Sequence, residues 1–185
     1  MMGGLLELLC PKVCAPSLAE VDLDALADRG IDSILLDLDN TILPWRDYDI
    51  PPESADWVRR ATERGMSLCI ASNTRNPRRL KAVAQQLGIS CFDRIAKPRR
   101  TGLRAAMETM GSTASRTAII GDQIFTDILG GNRLGLLTVL VRPLHRREFV
   151  GTKVSRLFEK AILAWLSRRG MLGTKTARQA SERQD

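Results

Sequence analysis

At 185 residues the chain is long enough for one domain with its own core and too short for two full domains. With 44% hydrophobic and 26% charged residues, its composition excludes a disordered or fibrous protein. No stretch approaches the roughly 18 to 20 uninterrupted apolar residues of a membrane-spanning helix. The N-terminal stretch lacks the basic start of a secretory signal, so we expect a cytoplasmic protein.

The net charge of +7 lies entirely in the C-terminal quarter of the sequence. Residues 142–185 hold eleven Lys and Arg against four Asp and Glu, whereas the preceding residues balance. This asymmetry favours an anionic partner for that end of the chain. Apolar residues at helical spacing within it predict a basic amphipathic helix over residues 146–169, and the polar residues 170–185 are predicted to be disordered.

Strands and helices alternate along the middle of the sequence. Short apolar runs predict buried strands at 33–37, 67–72, 117–122 and 137–141. Helices are predicted at 53–65, 77–88, 101–111 and 124–135. The alternation indicates an α/β domain with a doubly wound parallel sheet over residues 31–145, preceded by a helical segment of the same domain over residues 1–30.

Polar side chains stand where the predicted strands end. In chain order they are Asp37, Asp39, Thr41, Ser72, Asn73, Lys97, Asp122 and Asp127. The carboxyl ends of parallel strands meet at one edge of a sheet, which is where such folds bind ligands. We therefore expect these side chains to converge on one site.

This set of residue types indicates phosphoryl chemistry. Crowded carboxylates repel one another unless a divalent cation lies among them, and oxygen ligands favour Mg²⁺, which also binds phosphate oxygens. A lysine and a hydroxyl can hold a phosphoryl group by hydrogen bonds. One aspartate can attack phosphorus and carry the group, while a second can protonate the leaving alkoxide and later take a proton from water.

Four motifs resemble those of the haloacid dehalogenase superfamily of phosphohydrolases. They are "DLDNT" (37–41), "ASN" (71–73), "AKP" (96–98) and "GDQIFTD" (121–127). The longer stretches "DLDNTILPW", "ASNT" and "GDQIFTDILGGNRLG" resemble the YqeG-type phosphatases of subclass IIIA, whose relatives include phosphatidylglycerophosphate phosphatases. The resemblance implies a Rossmann-like sheet with helices on both faces and a Mg²⁺-dependent phosphoric monoester hydrolase.

The resemblance also implies roles for the aspartates of the first and last motifs. Asp37 would be the nucleophile and Asp39 the general acid and base, while Thr41 would steady their loop by hydrogen bonding. Mg²⁺ would be held by Asp37, by the backbone carbonyl of Asp39 and by Asp122.

The other motif residues would bind or orient the phosphoryl group. Ser72 and Lys97 would grip it, and Lys97 would also offset charge on the aspartyl phosphate. Asn73 would either bind phosphate or hold its own turn. Asp127 would orient Lys97 or a metal-bound water.

The motif spacing predicts that the domain has no cap. About thirty residues separate Asp39 from Ser72, and fewer separate Ser72 from Lys97, so neither gap can hold an inserted domain. An open site favours a bulky substrate that supplies its own cover, such as a phosphorylated lipid head group. The basic helix could then lie on an anionic membrane, although packing of its apolar face on the sheet is an equally open alternative.

Three other interpretations fit part of the sequence. A phosphorelay receiver domain has similar residue types, but it places its paired acids first, its phosphorylated aspartate on a middle strand and its lysine last. An RNA- or ribosome-binding protein would use the basic end, although no RNA-binding motif accompanies it. A phosphatase of a soluble ester, nucleotide or phosphoprotein would share the mechanism. The preferred interpretation is a phosphatidylglycerophosphate phosphatase at the inner face of the membrane.

Overall fold

A computed structural model describes residues 6–93 and 95–145 and contains a six-stranded, fully parallel sheet. The strands are β1 (Val13–Ala15), β2 (Ser33–Leu36), β3 (Ser67–Ala71), β4 (Ser90–Phe92), β5 (Thr117–Gly121) and β6 (Leu137–Val141). Their order across the sheet is β1-β6-β5-β2-β3-β4. This confirms the predicted doubly wound α/β fold. The helix predicted over residues 146–169 and the tail predicted over residues 170–185 lie outside the described residues.

Helices connect the strands. They are α1 (Leu23–Ala27), α2 (Pro52–Glu63), α3 (Pro77–Leu87), α4 (Arg100–Thr109) and α5 (Leu129–Leu134), with short 3-10 turns at Leu18–Glu20 and Ala114–Arg116. Only a loop and α2 connect β2 to β3, so no cap domain is inserted there. Between residues 6 and 145, leaving out residue 94, no helix is long and apolar enough to cross a bilayer.

Both faces of the sheet are covered by helices because its central strands are apolar on both sides. Ile34 and Leu36 of β2 lie in one core cluster with side chains of α1, α2 and α3. Leu35, between them, lies in a second cluster with side chains of α4. Successive side chains of a strand point to opposite faces, so a continuous apolar run is what a strand covered on both faces requires.

Two edge strands and one helical turn differ from the sequence prediction. The segment expected to be helical at the N-terminus contributes β1, which pairs with β6, and β4 adds the opposite edge. Each has only three residues, too few for a periodic pattern. The helix predicted at 124–135 begins instead as a π-helical turn, Ile124–Ile128, before α5.

Candidate active site

The candidate site lies at the carboxyl edge of the three central strands. Asp37, Ser72 and Asp122 directly follow β2, β3 and β5, and all three are buried. The Asp37 N–H donates to the carbonyl oxygen of Ile120 at 2.9 Å, which continues the pairing of β2 with β5. Asp37, Asp39, Ser72, Asn73 and Lys97 all line one cavity of about 700 Å³. The predicted convergence of the strand-end residues is therefore present.

Lys97 joins two buried carboxylates. Its Nζ donates to Asp37 Oδ1 at 2.5 Å and to Asp127 Oδ1 at 2.6 Å, and the Lys97 side chain is only 1% exposed. The side-chain amide of Asn73 fixes the backbone of Lys97, because it accepts the Lys97 N–H at 2.8 Å and donates to the Lys97 carbonyl at 2.9 Å. The bonds of Asn73 thus go to the loop of Lys97 and not to its own turn, and a role in phosphate binding stays a prediction.

Asp127 reaches Lys97 from the π-helical turn. Its Oδ2 accepts from the Gln123 N–H at 3.2 Å and from the Thr126 hydroxyl at 3.3 Å, so both carboxylate oxygens are used. Gly121, the last residue of β5, makes room for this carboxylate, because a Cβ atom there would overlap it. The close approach of Asp127 to the strand is thus a reason for glycine at this position.

Three carboxylates form a candidate metal site. Asp37, Asp122 and Asp127 can each place a carboxylate oxygen within 4.8 Å of the others, and all three are buried. Oxygen-only donors suit a hard divalent cation, and with Lys97 charged the ionised group carries a net charge of about −2 that such a cation would offset. The Asp39 side chain is not in this cluster, which leaves only the backbone carbonyl predicted for it.

Burial and charge shift the ionisation of the two central groups. Burial raises the pKa of Asp37 to about 7; Lys97 opposes this shift, and the charges of Asp127 and Asp39 add to it. Burial lowers the pKa of Lys97, but the carboxylates of Asp127 and Asp37 outweigh burial and hold it above its ordinary value. Lys97 therefore stays charged. A divalent cation bound beside Asp37 would favour the ionised carboxylate of Asp37.

Asp39 is paired with an arginine that the sequence analysis missed. Its Oδ1 accepts from Arg79 Nη1 at 2.8 Å and from the Arg46 N–H at 3.4 Å. Arg79 lies in the first turn of α3 and is 3% exposed. Arginine is seldom fully buried unless it is paired with a charged group. The sequence alone does not show that Arg79 is buried, because an arginine on the surface of a helix would look the same.

Ser72 and Thr41 have different surroundings from one another. Ser72 Oγ accepts from the Thr74 N–H at 3.1 Å beside the cavity. The Thr41 hydroxyl is fully buried and makes no hydrogen bond among the described residues, so the expected steadying bond is absent. Asn40 holds the loop instead. It has φ 64°, its N–H donates to Leu43 O at 2.8 Å and its Oδ1 accepts from the Trp45 N–H at 3.3 Å. Asn tolerates this left-handed backbone better than Thr and can bond to the backbone nearby.

Cationic and aromatic side chains line the rim of the cavity. They are Trp45, Arg46, Tyr48 and Arg75. The Arg46 guanidinium lies 4.3 Å from the centre of the Trp45 ring, and Tyr48 is 53% exposed. Neither Arg46 nor Arg75 has an ion-pair partner among the described residues. These side chains had no motif to identify them, and their proximity to the motif residues depends on the fold.

Comparison with known sequences identifies the family whose motifs this chain resembles. The model of the haloacid dehalogenase-like hydrolase family matches residues 7–135. "Probable phosphatase YqeG" of Bacillus subtilis (strain 168) is 35% identical over 147 residues, which are 80% of this chain and 85% of that protein. "Phosphatidylglycerophosphate phosphatase 1, chloroplastic/mitochondrial" of Arabidopsis thaliana is 31% identical over 176 residues, which are 89% of this chain but 50% of that protein. This chain thus spans about half the length of the plant relative.

Solved structures show the same fold. An uncharacterized protein from Listeria monocytogenes serotype 4b superposes with a TM-score of 0.52 at 15% identity and covers 71% of this chain and 99% of its own. The cobalt-bound deoxy-D-mannose-octulosonate 8-phosphate phosphatase YrbI of Haemophilus influenzae superposes with a TM-score of 0.50 at 17% identity, over 74% of this chain and 89% of its own. As the four sequence motifs predicted, the chain belongs to the haloacid dehalogenase-like hydrolases, within their YqeG-type branch.

Proposed function

We propose that this protein is a Mg²⁺-dependent phosphatase that hydrolyses a phosphomonoester through an aspartyl phosphate, with phosphatidylglycerophosphate as the substrate. The observation that carries the reaction is the buried ion triad of Asp37, Lys97 and Asp127 beside Asp122, of which Asp37 and Lys97 line an open cavity. Such an array places a nucleophile, a fixed cation and a cation-binding cluster together. Relatives named phosphatases support the same reaction.

In the first half of the reaction the Asp37 carboxylate forms a bond to phosphorus while the bond to the leaving oxygen breaks. Asp39 gives its proton to that oxygen. In the second half a water molecule loses a proton to Asp39 and attacks phosphorus, which releases inorganic phosphate and restores Asp37. Lys97 and Ser72 hold the phosphoryl oxygens throughout.

The metal would be held by Asp37, Asp122 and the backbone carbonyl of Asp39. When bound, Mg²⁺ would supply positive charge to the phosphoryl oxygens. Asp127 would act through Lys97, because its carboxylate is already occupied by the Lys97 ammonium and by the Gln123 and Thr126 donors.

Three observations support a lipid substrate. The cavity is open and no cap domain covers it in the described part of the chain. Its rim carries Arg46 and Arg75 together with Trp45 and Tyr48, which suit an anionic head group at an apolar surface. The basic residues 142–185 support peripheral contact with an anionic membrane, and the proposed site of action is the inner, cytoplasmic face of that membrane.

The test is phosphate release from phosphatidylglycerophosphate in mixed micelles with Mg²⁺, beside a panel of soluble phosphate esters and nucleotides. Turnover of the lipid with little turnover of the panel supports the proposal. Turnover of soluble esters alone keeps the reaction and rejects the lipid, whereas hydrolysis of no ester rejects the phosphatase. Asp37→Asn is the control, and it must be folded by circular dichroism and inactive for the aspartyl phosphate mechanism to stand.

A further inference from the structure

Arg79 is a buried guanidinium that bonds to three separate points of one loop. Its Nη1 donates to Asp39 Oδ1 at 2.8 Å, its Nε to the Asp47 carbonyl at 2.6 Å and its Nη2 to the Pro44 carbonyl at 3.3 Å. The side chain is 4% exposed, and Asp39 is its charged partner. Burying a guanidinium is costly unless its donors are satisfied, and here each of the three nitrogens has an acceptor.

The guanidinium is held from a regular element, whereas its partner stands in a loop. Arg79 belongs to the first turn of α3, where its own N–H donates to the side chain of Asn76, which caps the helix. Asp39 lies in the loop between β2 and α2. Arg79 is therefore the fixed member of the pair, and its planar fork holds a carboxylate in one orientation better than a lysine would.

The contact leaves one oxygen of Asp39 available. Oδ1 receives both the Arg79 and the Arg46 donors, while Oδ2 makes no hydrogen bond among the described residues. Asp39 lines the cavity together with Asp37 and is partly exposed there. A group that transfers a proton must lie within hydrogen-bond reach of the atom that receives it, so the orientation of Asp39 matters for catalysis.

We propose that Arg79 is a positioning residue that holds Asp39 Oδ1 so that Oδ2 meets the leaving oxygen of the substrate. This inference rests on the proposed phosphatase reaction. The bond from Asp37 to phosphorus forms as the ester bond breaks, and the proton of Asp39 passes to the departing oxygen. Without Arg79, a poor leaving group must depart without that proton, whereas a good one such as p-nitrophenolate needs it far less.

The experiment compares kcat/KM for phosphatidylglycerophosphate in mixed micelles, whose leaving group is an alkyl alcohol, with phenyl phosphate and p-nitrophenyl phosphate in wild type, Arg79→Lys and Arg79→Gln. General acid catalysis is worth about 10² to 10⁴ in rate. We expect kcat/KM to fall by at least about 100-fold for the alkyl ester and by less than about fivefold for p-nitrophenyl phosphate. In the Arg79 variants, release of p-nitrophenolate should show a burst followed by a slower phase. The slower phase is expected because Asp39 must also activate the water that hydrolyses the aspartyl phosphate. Arg78→Gln, which changes the exposed neighbour in the same turn, should match wild type.

Asp39→Asn gives a second, independent readout. It should show the same dependence on the leaving group, and adding Arg79→Lys to it should change kcat/KM less than twofold, because the two residues act as one unit. An equal loss for all three esters in the Arg79 variants, or additive losses in the double variant, overturns the positioning role and points to a structural one. A wild type that hydrolyses neither these aryl esters nor phosphatidylglycerophosphate overturns the proposed function itself, and the role of Arg79 with it.

Discussion

The buried carboxylate of Asp37 lowers the stability of the folded protein. It is buried beside Asp127 and Asp122, and Lys97 is the cation that contacts it. Burial of a carboxylate among other carboxylates disfavours its charged form, which is why its pKa is raised. Residues that are unfavourable for stability and required for chemistry are common in active sites. Their contribution is measurable as a dependence of stability on pH.

We expect Asp37→Asn to stabilise the metal-free protein at high pH. The folded-state pKa of about 7 exceeds the ordinary 3.8, so between those values the folded protein binds the extra proton and stability falls as pH rises. Asparagine removes this loss and can still accept from Lys97. Urea unfolding in EDTA should give a gain on the order of 1 to 3 kcal/mol at pH 8 and little at pH 4. A gain of the same size at both values would contradict the electrostatic explanation.

The same charges predict a stabilising response to Mg²⁺. A cation that binds only the folded protein stabilises it by about 2.7 kcal/mol at 100 times its dissociation constant. Thermal unfolding at pH 8 should therefore move upward with added MgCl₂ in wild type. Asp122→Asn should lose most of this response, whereas Asp28→Asn, at an exposed position, should keep it. An unchanged response in Asp122→Asn would exclude Asp122 as a ligand.

At the scale of elements, the fit between β5 and the π-helical turn positions Asp127. We expect Gly121→Ala to push the Asp127 carboxylate away from Lys97, because the new Cβ overlaps it. Phosphatase activity should fall at least about tenfold, and the free energy of unfolding should drop by roughly 1 to 3 kcal/mol. The losses should be smaller when Gly121→Ala is made in an Asp127→Ala background, where the space is free. Fully additive losses would show that the overlap is not their cause.

The central elements were predictable and the edges were not. Residues 34–36 and 118–121 of β2 and β5 are continuous apolar runs with polar residues directly after them, so both the strands and their ends are visible in the sequence. The strands Val13–Ala15 and Ser90–Phe92 are too short to show a pattern. A π-helical turn has no pattern separate from the α5 helix that continues it.

Within the site, the motif residues could be predicted from the sequence and Arg79 could not. Asp37, Lys97 and Asp127 could be assigned to one site because each follows a strand or belongs to a motif. Arg78 and Arg79 are neighbours of the same type, yet Arg78 is exposed and Arg79 is buried against Asp39. Which of the two arginines points inward depends on how α3 packs on the sheet and on the path of the loop that follows β2. Both are properties of the folded chain that the residues around positions 78 and 79 do not reveal.

At the scale of the whole molecule, the open cavity and its cationic rim should decide which esters are hydrolysed efficiently. Arg46 and Arg75 line the same cavity as Asp37 and have no ion-pair partner among the described residues. A substrate with further negative charge, or one in an anionic micelle, would meet them before it reaches Asp37, whereas a small aryl ester would not depend on them. Exposed charges of this kind are screened by salt.

We expect the double variant Arg46→Asn and Arg75→Gln to have a lower kcat/KM for phosphatidylglycerophosphate but not for a small aryl ester. Asn at position 46 suits the left-handed backbone there, where φ is 64°. In mixed micelles kcat/KM should fall by about 10-fold or more, mainly through KM, since two charge-assisted contacts of roughly 1 kcal/mol each are lost. For p-nitrophenyl phosphate kcat/KM should change less than twofold, and Arg104→Gln, on the exposed face of α4, should affect neither substrate. Wild type should lose its advantage over the double variant as NaCl is raised. Equal losses on both substrates would instead mean that the rim supports the catalytic loop and does not select the substrate.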